Sequence, residues 1–335
     1  MKKDRQFFRS NYRNNYRNNF SGDNAVDTGK KFLIAGLLGA GLLFLIIFFS
    51  GDRGWQGDGI SPYTIAEGTV RGEVYVDGGH GYTGENPYLQ YFELPPGEVK
   101  YARFYVPVWN YDSGDSIRVT VNGNELAVRQ EPDYVSAWGT ALYCLDTSTS
   151  LGTGLNEVSV LSENPGGGPY GITLVAVCEN KSLPPVRFWI NEGNYALTYT
   201  NKQDRVTSTF KGTSPGKNAS LYAMLVAGTE GEKDDLYFDS LKIGSDVGNS
   251  SQGKYFDLYS ASVSPKSTES ILSFERGEEG YLHPCVAVLV SESESDSEFL
   301  KLHEQKSSTG GQIPYSVIVV SILACLALVL RFRKK

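Results

Sequence analysis

Two uninterrupted apolar runs bracket this 335-residue chain, and they limit what it can fold into more than any other feature. Phe32 to Phe49 (FLIAGLLGAGLLFLIIFF) and Ile313 to Leu330 (IPYSVIVVSILACLALVL) each hold 18 residues without a charged side chain. A helix rises ~1.5 Å per residue, so each run covers ~27 Å, close to the hydrocarbon thickness of a bilayer. Pro314 stands at the entry of the second run, where a helix tolerates it. Core helices are the alternative reading. The terminal placement and the flanking Lys30-Lys31, Asp52-Arg53 and Arg331 favour membrane spans.

Charge follows the same division. Residues 1–31 carry +5, residues 50–312 carry −16, and 331–335 carry +4, which together make the net −7. The excess of Lys and Arg at both ends predicts both termini in the cytoplasm and 50–312 outside the cell. A −16 exterior argues against nucleic acid as a partner, and 40 % hydrophobic residues exclude a disordered chain. The first span could instead be a signal peptide, but its basic prelude is long and no small residue sits three positions before a cleavage point at Ser50, so an uncleaved signal anchor is expected. The second span with its basic end is similar to the tripartite sorting signals of archaeal surface proteins; an ordinary stop-transfer helix fits equally.

The prelude repeats Asn, Tyr and Arg (Asn11 to Phe20) and reads as a basic tail on anionic lipid, with stacking on single-stranded RNA as the other reading. Residues 291–312, from Ser291-Glu-Ser-Glu-Ser-Asp-Ser297 to Gly310-Gly311, have little to bury and read as a polar stalk.

Between the spans no long helical periodicity occurs. Short alternating or β-branched runs (Gly68–Val76, Ala102–Trp109, Ser116–Val121, Glu157–Leu161, Gly171–Val177) alternate with Gly, Pro, Asn and Asp, the pattern of a sandwich or jelly roll. Asn122-Gly123 marks a hairpin. A second set of landmarks follows in the same order: Ser220–Val226, Asp234–Ile243, Tyr255–Leu258 and Tyr281–Val290. The expected fold class is therefore mainly β, with two tandem β-sandwich or jelly-roll-like domains flanked by two transmembrane helices. The expected boundaries are a cytoplasmic tail 1–31, span 32–49, linker 50–66, first domain 67–186, connector 187–200, second domain 201–290, stalk 291–312, span or sorting signal 313–330 and tail 331–335.

Several motifs carry a resemblance. Gly68-Thr-Val-x-Gly-x-Val-Tyr-Val76, Ala102-Arg-x-Tyr-Val106 with Trp109, Val121-Asn-Gly123, Gly154-x-Asn-x-Val158, Tyr170-Gly-x-x-Leu-Val-x-Val177 with Glu179, and Trp189-Ile-Asn-Glu-Gly193 occur in order over roughly 65–290. Together they resemble an uncharacterised tandem β-domain family of methanogen cell-surface proteins, often attached by a carboxyl-terminal sorting helix. The resemblance implies location and fold; the family has no established activity. The pattern of Val121-Asn-Gly123, Asp146 and Gly154-x-Asn-x-Val158 is also similar to sugar-binding jelly-roll modules, from which no ligand residue is carried over.

A His-Glu-x-x-His zinc site is absent, His80 lies in the glycine-rich Asp77-Gly-Gly-His-Gly-Tyr82, His283 precedes Pro284 at a strand entry, and His303 lies in the expected stalk. No catalytic residue is assigned. Glu230, Glu232, Asp234, Asp235 and Asp239 form the densest acidic cluster, which reads as a solvated loop, with Asp234, Asp235 and Asp239 as calcium candidates in a chain otherwise expected to hold no cofactor. Cys325 falls in the second span; Cys144 and Cys178 are disulfide candidates, leaving Cys285 over, and three buried free thiols fit as well. Asn180, Asn218 and Asn249 are glycosylation acceptors on the outer side, whereas Asn19 faces the cytoplasm. Of the aromatic residues Tyr88, Tyr91, Trp109, Tyr111, Trp138 and Trp189, most belong in a core. The reading is a non-enzymatic, membrane-anchored archaeal surface glycoprotein for envelope architecture or adhesion, with lipid, other envelope proteins, a second copy or glycans as partners. A carbohydrate-binding module and a wall-polymer glycoside hydrolase are the alternatives.

Overall fold

A computed structural model describes residues 58–164, 166–200, 203–293 and 299–303. The two apolar spans, both basic tails, Asn19 and Cys325 lie outside the described residues. Among the described residues no helix is long and apolar enough to cross a membrane.

The strands of the first half are β1 (Gly59–Gly78), β2 (Tyr88–Leu94), β3 (Glu98–Trp109), β4 (Ile117–Val121), β5 (Asn124–Glu125), β6 (Tyr134–Ser136), β7 (Thr140–Asp146), β8 (Gly154–Ser162), β9 (Gly168–Pro169) and β10 (Thr173–Glu179). Those of the second are β11 (Pro185–Tyr195), β12 (Leu197–Thr198), β13 (Arg205–Lys211), β14 (Ala219–Val226), β15 (Asp235–Phe238), β16 (Leu241–Ser245), β17 (Phe256–Val263), β18 (Glu269–Glu275), β19 (Tyr281–Glu292) and β20 (Phe299–Leu302). A 3-10 turn at Ala137–Gly139 joins β6 to β7.

Twelve strands form one sheet along the path β17-β14-β19-β11-β1-β10-β3-β7-β6, with β12 on β19, β20 on β1 and β9 on β3. Two four-stranded sheets, β2-β8-β4-β5 and β13-β18-β15-β16, cover its two halves. The halves repeat one topology: β10-β3-β7 under β2-β8-β4-β5 corresponds to β19-β14-β17 under β13-β18-β15-β16. Asn122 and Gly123, both at positive φ, make the β4–β5 hairpin.

Three cores result, because the large sheet buries both faces. Along β3, Ala102, Phe104, Val106 and Val108 face the first outer sheet, whereas Tyr101 and Tyr105 face the middle of the molecule. Along β19, Ala287 and Leu289 face the second outer sheet while Cys285, Val286 and Val288 join the middle core. The middle core draws Tyr105, Leu142 and Cys144 from the first half and Ile190, Met224 and Phe256 from the second, so the two halves of the sheet lie face to face. Strands buried on both sides read as near-continuous apolar runs, which is why Ala102–Trp109 and Val286–Val290 carry so few polar residues.

β1 makes the halves continuous. Its Gly59–Arg71 portion pairs with β11 and its Gly72–Gly78 portion with β10. At the switch Gly72 has φ 150°, and a Cβ there would lie 1.9 Å from the Cys178 carbonyl oxygen. The described residues fall in one unit, Arg53–Lys335.

Three expectations change. The connector expected at 187–200 is mostly β11, a central strand whose Phe188, Trp189 and Ile190 are buried, because β1 supplies a partner on one side and β19 on the other. The linker expected at 50–66 contains the start of β1 from Gly59. The stalk expected from 291 contains the end of β19 and all of β20, whose main chain satisfies the free edge of β1 from Ala66 to Thr69.

The disulfide candidates do not meet. Cys144 is level with Tyr105 and Tyr105 with Thr173, so Cys178 sits five residues farther along β10, roughly 16 Å away at ~3.3 Å per residue. They also face different cores, and all three described cysteines are buried free thiols.

Candidate functional site

An open cleft of about 590 Å³ lies where the glycine-rich loop leaves β1, lined by Asp77, His80, Glu85, Leu89, Tyr91 and Gln252 among others. The loop is glycine-rich because two backbones approach there. A Cβ on Gly79 would stand 2.4 Å from the Tyr88 hydroxyl, and one on Gly81, at φ 78°, 2.2 Å from the Gly253 carbonyl carbon. The Tyr82 amide donates to the Lys254 carbonyl at 2.8 Å, fastening the loop to the second half.

Side chains then fix the walls. Asp77 accepts from the Tyr75 hydroxyl and from the Gly78 amide, each at 2.8 Å. Burial, reinforced by Asp77, raises the Tyr75 phenol well above its usual range. The His80 amide donates to the Tyr88 hydroxyl at 2.9 Å, and the two rings meet edge-on at 4.6 Å, leaving the imidazole exposed. Burial pushes the Tyr88 phenol up to about 12. Leu89 and Tyr91, on the outward face of β2, are 41 % and 50 % exposed. The Tyr91 hydroxyl donates to Glu157 at 3.1 Å, which holds its ring at the rim. Gln252 is held by the main chain of Leu258. The cleft thus offers an imidazole, carboxylates, amides and an aromatic rim, suited to an uncharged or weakly cationic polyhydroxylated ligand.

A second polar constellation is sealed in the middle core. Arg103 reaches Glu192 through Nε at 3.0 Å and Nη2 at 3.1 Å, and the Tyr134 hydroxyl donates to the same carboxylate at 3.0 Å. Burial pushes Glu192 above the usual carboxylate range, opposed by the Arg103 charge. Nearby, Ser136 Oγ lies 3.0 Å from His283 Nδ1 and donates to Asn194 Oδ1 at 2.9 Å. This resembles a nucleophile and base, but His283 is only 1 % exposed, and burial depresses its pKa to about 3. Both side chains are buried, and the cluster joins β6, β11 and β19.

Other sequence candidates are scattered. Asp234 accepts the amides of Val247 and Gly248, Asp235 pairs with Lys242 at 2.6 Å, and Asp239 accepts the amides of Lys266 and Ile271. The three calcium candidates therefore hold different loops, and among the described residues no group of three or more His, Cys, Asp or Glu is arranged for a metal. Asn218 is exposed; Asn180 and Asn249 are partly buried, with Asn180 bonded to Pro96 and Ser182. His303 Nε2 lies 3.5 Å from Glu67. Tyr88, Tyr111 and Trp189 are core residues, Trp109 is partly buried, and Tyr91 and Trp138 are exposed.

The motif residues are structural in use. Asn156 ties Gly152 and Gly154 together, Asn191 joins β11 to Ser208 and Thr209, and Glu179 pairs with Lys100 at 2.6 Å. A family profile described as protein of unknown function (DUF3344) matches residues 54–292. The chain belongs to this family. The DUF3344 region spans both halves, in agreement with a single sheet running through them. No curated protein sequence matches the chain. Among solved structures it is similar to an α-L-rhamnosidase from Streptomyces avermitilis in complex with L-rhamnose, at 12 % identity and a TM-score of 0.20, covering 71 % of this chain and 26 % of that one. It is also similar to a lectin from Pleurotus ostreatus in complex with GalNAc, at 13 % identity and a TM-score of 0.19, covering 75 % and 86 %. The chain spans about a quarter of the rhamnosidase's length, and likenesses this remote carry no argument about ligand or reaction.

Proposed function

We propose that this DUF3344 protein is a non-enzymatic module of a cell surface, archaeal and related to methanogen surface proteins, with an envelope or adhesive role. Its apolar spans anchor it, residues 50–312 are outside, and Asn218, with Asn180 and Asn249, carries glycan. The observation that supports a non-catalytic reading most is the enclosure of Ser136 and His283 in the middle core, where both side chains are buried. A membrane-impermeant amine reagent applied to intact producing cells tests the location. Lys100, Lys181 and Lys254 should be labelled and Lys2, Lys3 and Lys334 spared; the reverse pattern refutes it.

The second reading is a carbohydrate-binding surface module, favoured by the lining of the cleft. The hydrolase alternative is weakened by Asp77, both of whose carboxylate oxygens already accept internal hydrogen bonds.

A further inference from the structure

We propose that the end of the molecule carrying Trp138 and Tyr199 seats against the lipid surface, with the opposite end, carrying Asn180 and Asn218, turned away from it. This rests on the reading that the two apolar runs span a membrane, and adds which face of the protein the bilayer meets. The chain enters at that end. The Asp58 carbonyl accepts the Ala196 amide at 2.6 Å and Gly59 pairs with Tyr195, so β1 begins where β11 finishes. A Cβ on Gly59 would lie 2.9 Å from the Cβ of Ser136, which sets the Trp138 turn beside the entry. β12 pairs Leu197 with Leu282 and Thr198 with Tyr281, bringing Tyr199 to the same end. Eight residues, 50–57, separate Phe49 from Asp58, a reach of at most about 29 Å.

The exit heads the same way. β20 runs antiparallel to β1, from Phe299 opposite Thr69 to Leu302 opposite Ala66, and the His303 amide donates to the Ile65 carbonyl at 2.8 Å. Its carboxyl end is therefore directed toward Gly59, six residues or ~20 Å farther along β1. Nine residues, 304–312, remain before Ile313, a reach of about 30 Å. Two tethers that converge on one end decide which end faces the bilayer. The surface there has the matching chemistry. Trp138 is 54 % and Tyr199 61 % exposed, and rings of these two types are favoured at headgroup level, where an apolar body meets the acyl chains and a polar edge meets water. Glu278 is exposed two residues before Gly280, whose carbonyl accepts the Tyr199 amide, so a zwitterionic headgroup layer fits better than an anionic one. At the other end the Asn180 amide donates to the Arg71 carbonyl, up to about 40 Å along β1 from Gly59. Asn218 lies at that level too, since Ala219, Ser291, Arg187 and Thr69 are in register across the sheet.

The full chain, reconstituted in phosphatidylcholine vesicles with brominated acyl chains, tests this by tryptophan quenching. In a Trp55→Phe background, which removes the indole of the connecting residues, the bromolipid should quench part of the emission. Adding Trp138→Phe should remove most of that quenching, because Trp189 is buried and Trp109 partly so. An indole placed at the far end by Lys181→Trp, on the Trp55→Phe and Trp138→Phe background, should stay unquenched. Both substituted side chains are exposed, so the melting temperature should not move. Vesicle flotation distinguishes anchoring from seating. A chain that does not float with the vesicles contradicts the anchoring and the seating together. A chain that floats with Trp138 unquenched, or with Lys181→Trp quenched as strongly as Trp138, overturns the seating alone.

Discussion

Arg103 and Glu192 are charged residues inside strands that are otherwise apolar, 89 positions apart in sequence, and the structure places them against each other in the middle core. Such a pair contributes little net stability over an apolar pair of the same shape, but removing one partner strands a buried charge. Arg103→Met should cost about 3–5 kcal/mol in chemical denaturation, and adding Glu192→Met should recover most of it. Sequence motifs contained both residues without indicating that they meet, since pairing depends on how β3 and β11 face each other across the core. Glu279 makes a second test. It accepts the Thr229 amide through both oxygens, and burial raises its pKa from 4.5 to about 8. Its protonated form therefore contributes stability that is complete below about pH 4.5 and is lost as pH rises toward about 8. Glu279→Gln should raise stability at pH 8 by on the order of 2 kcal/mol and change it little at pH 4, measured by thermal melts. His283 acts oppositely: with its pKa lowered from 6.5 to about 3, its neutral form supports the fold above pH 6.5 and the support is lost toward pH 3.

Elements were legible where one strand's own pattern decides them. The alternation in β4 and the Asn122-Gly123 turn are local signals, and the order of landmarks in the two halves reflects a shared topology. β11 and β20 were not legible as strands, because each is defined by the edge of β1 that it fills. Nothing local in Arg187–Leu197 distinguishes a linker with several apolar residues from a central strand. The glycine-rich loop is legible as a local pattern and carries an exposed His80; the cleft also needs Gln252, contributed by a turn more than 160 residues later, which a local reading does not reach. The switch at Gly72 is the sharpest test at this scale. Gly72→Ala adds a Cβ where the Cys178 carbonyl stands at 1.9 Å, so the main chain must move. Hydrogen exchange should show protection falling on both sides of the switch, in the β1–β10 and β1–β11 pairings.

For the whole molecule, the shared core and the continuous β1 couple the two halves. They should unfold together, giving one calorimetric transition whose van't Hoff and calorimetric enthalpies agree, whereas two resolved transitions would mean independent halves. The same rigidity suits a body that displays surface sites without closing over a substrate. A surface role without turnover is the central claim, and it is tested most directly by incubating the full chain with a panel of neutral oligosaccharides while following retention and product release together. The account predicts no product at any time, and saturable retention that Tyr91→Ala and Gln252→Ala reduce would favour the carbohydrate-binding reading. Product release that persists through purification and disappears in Glu85→Gln would contradict it.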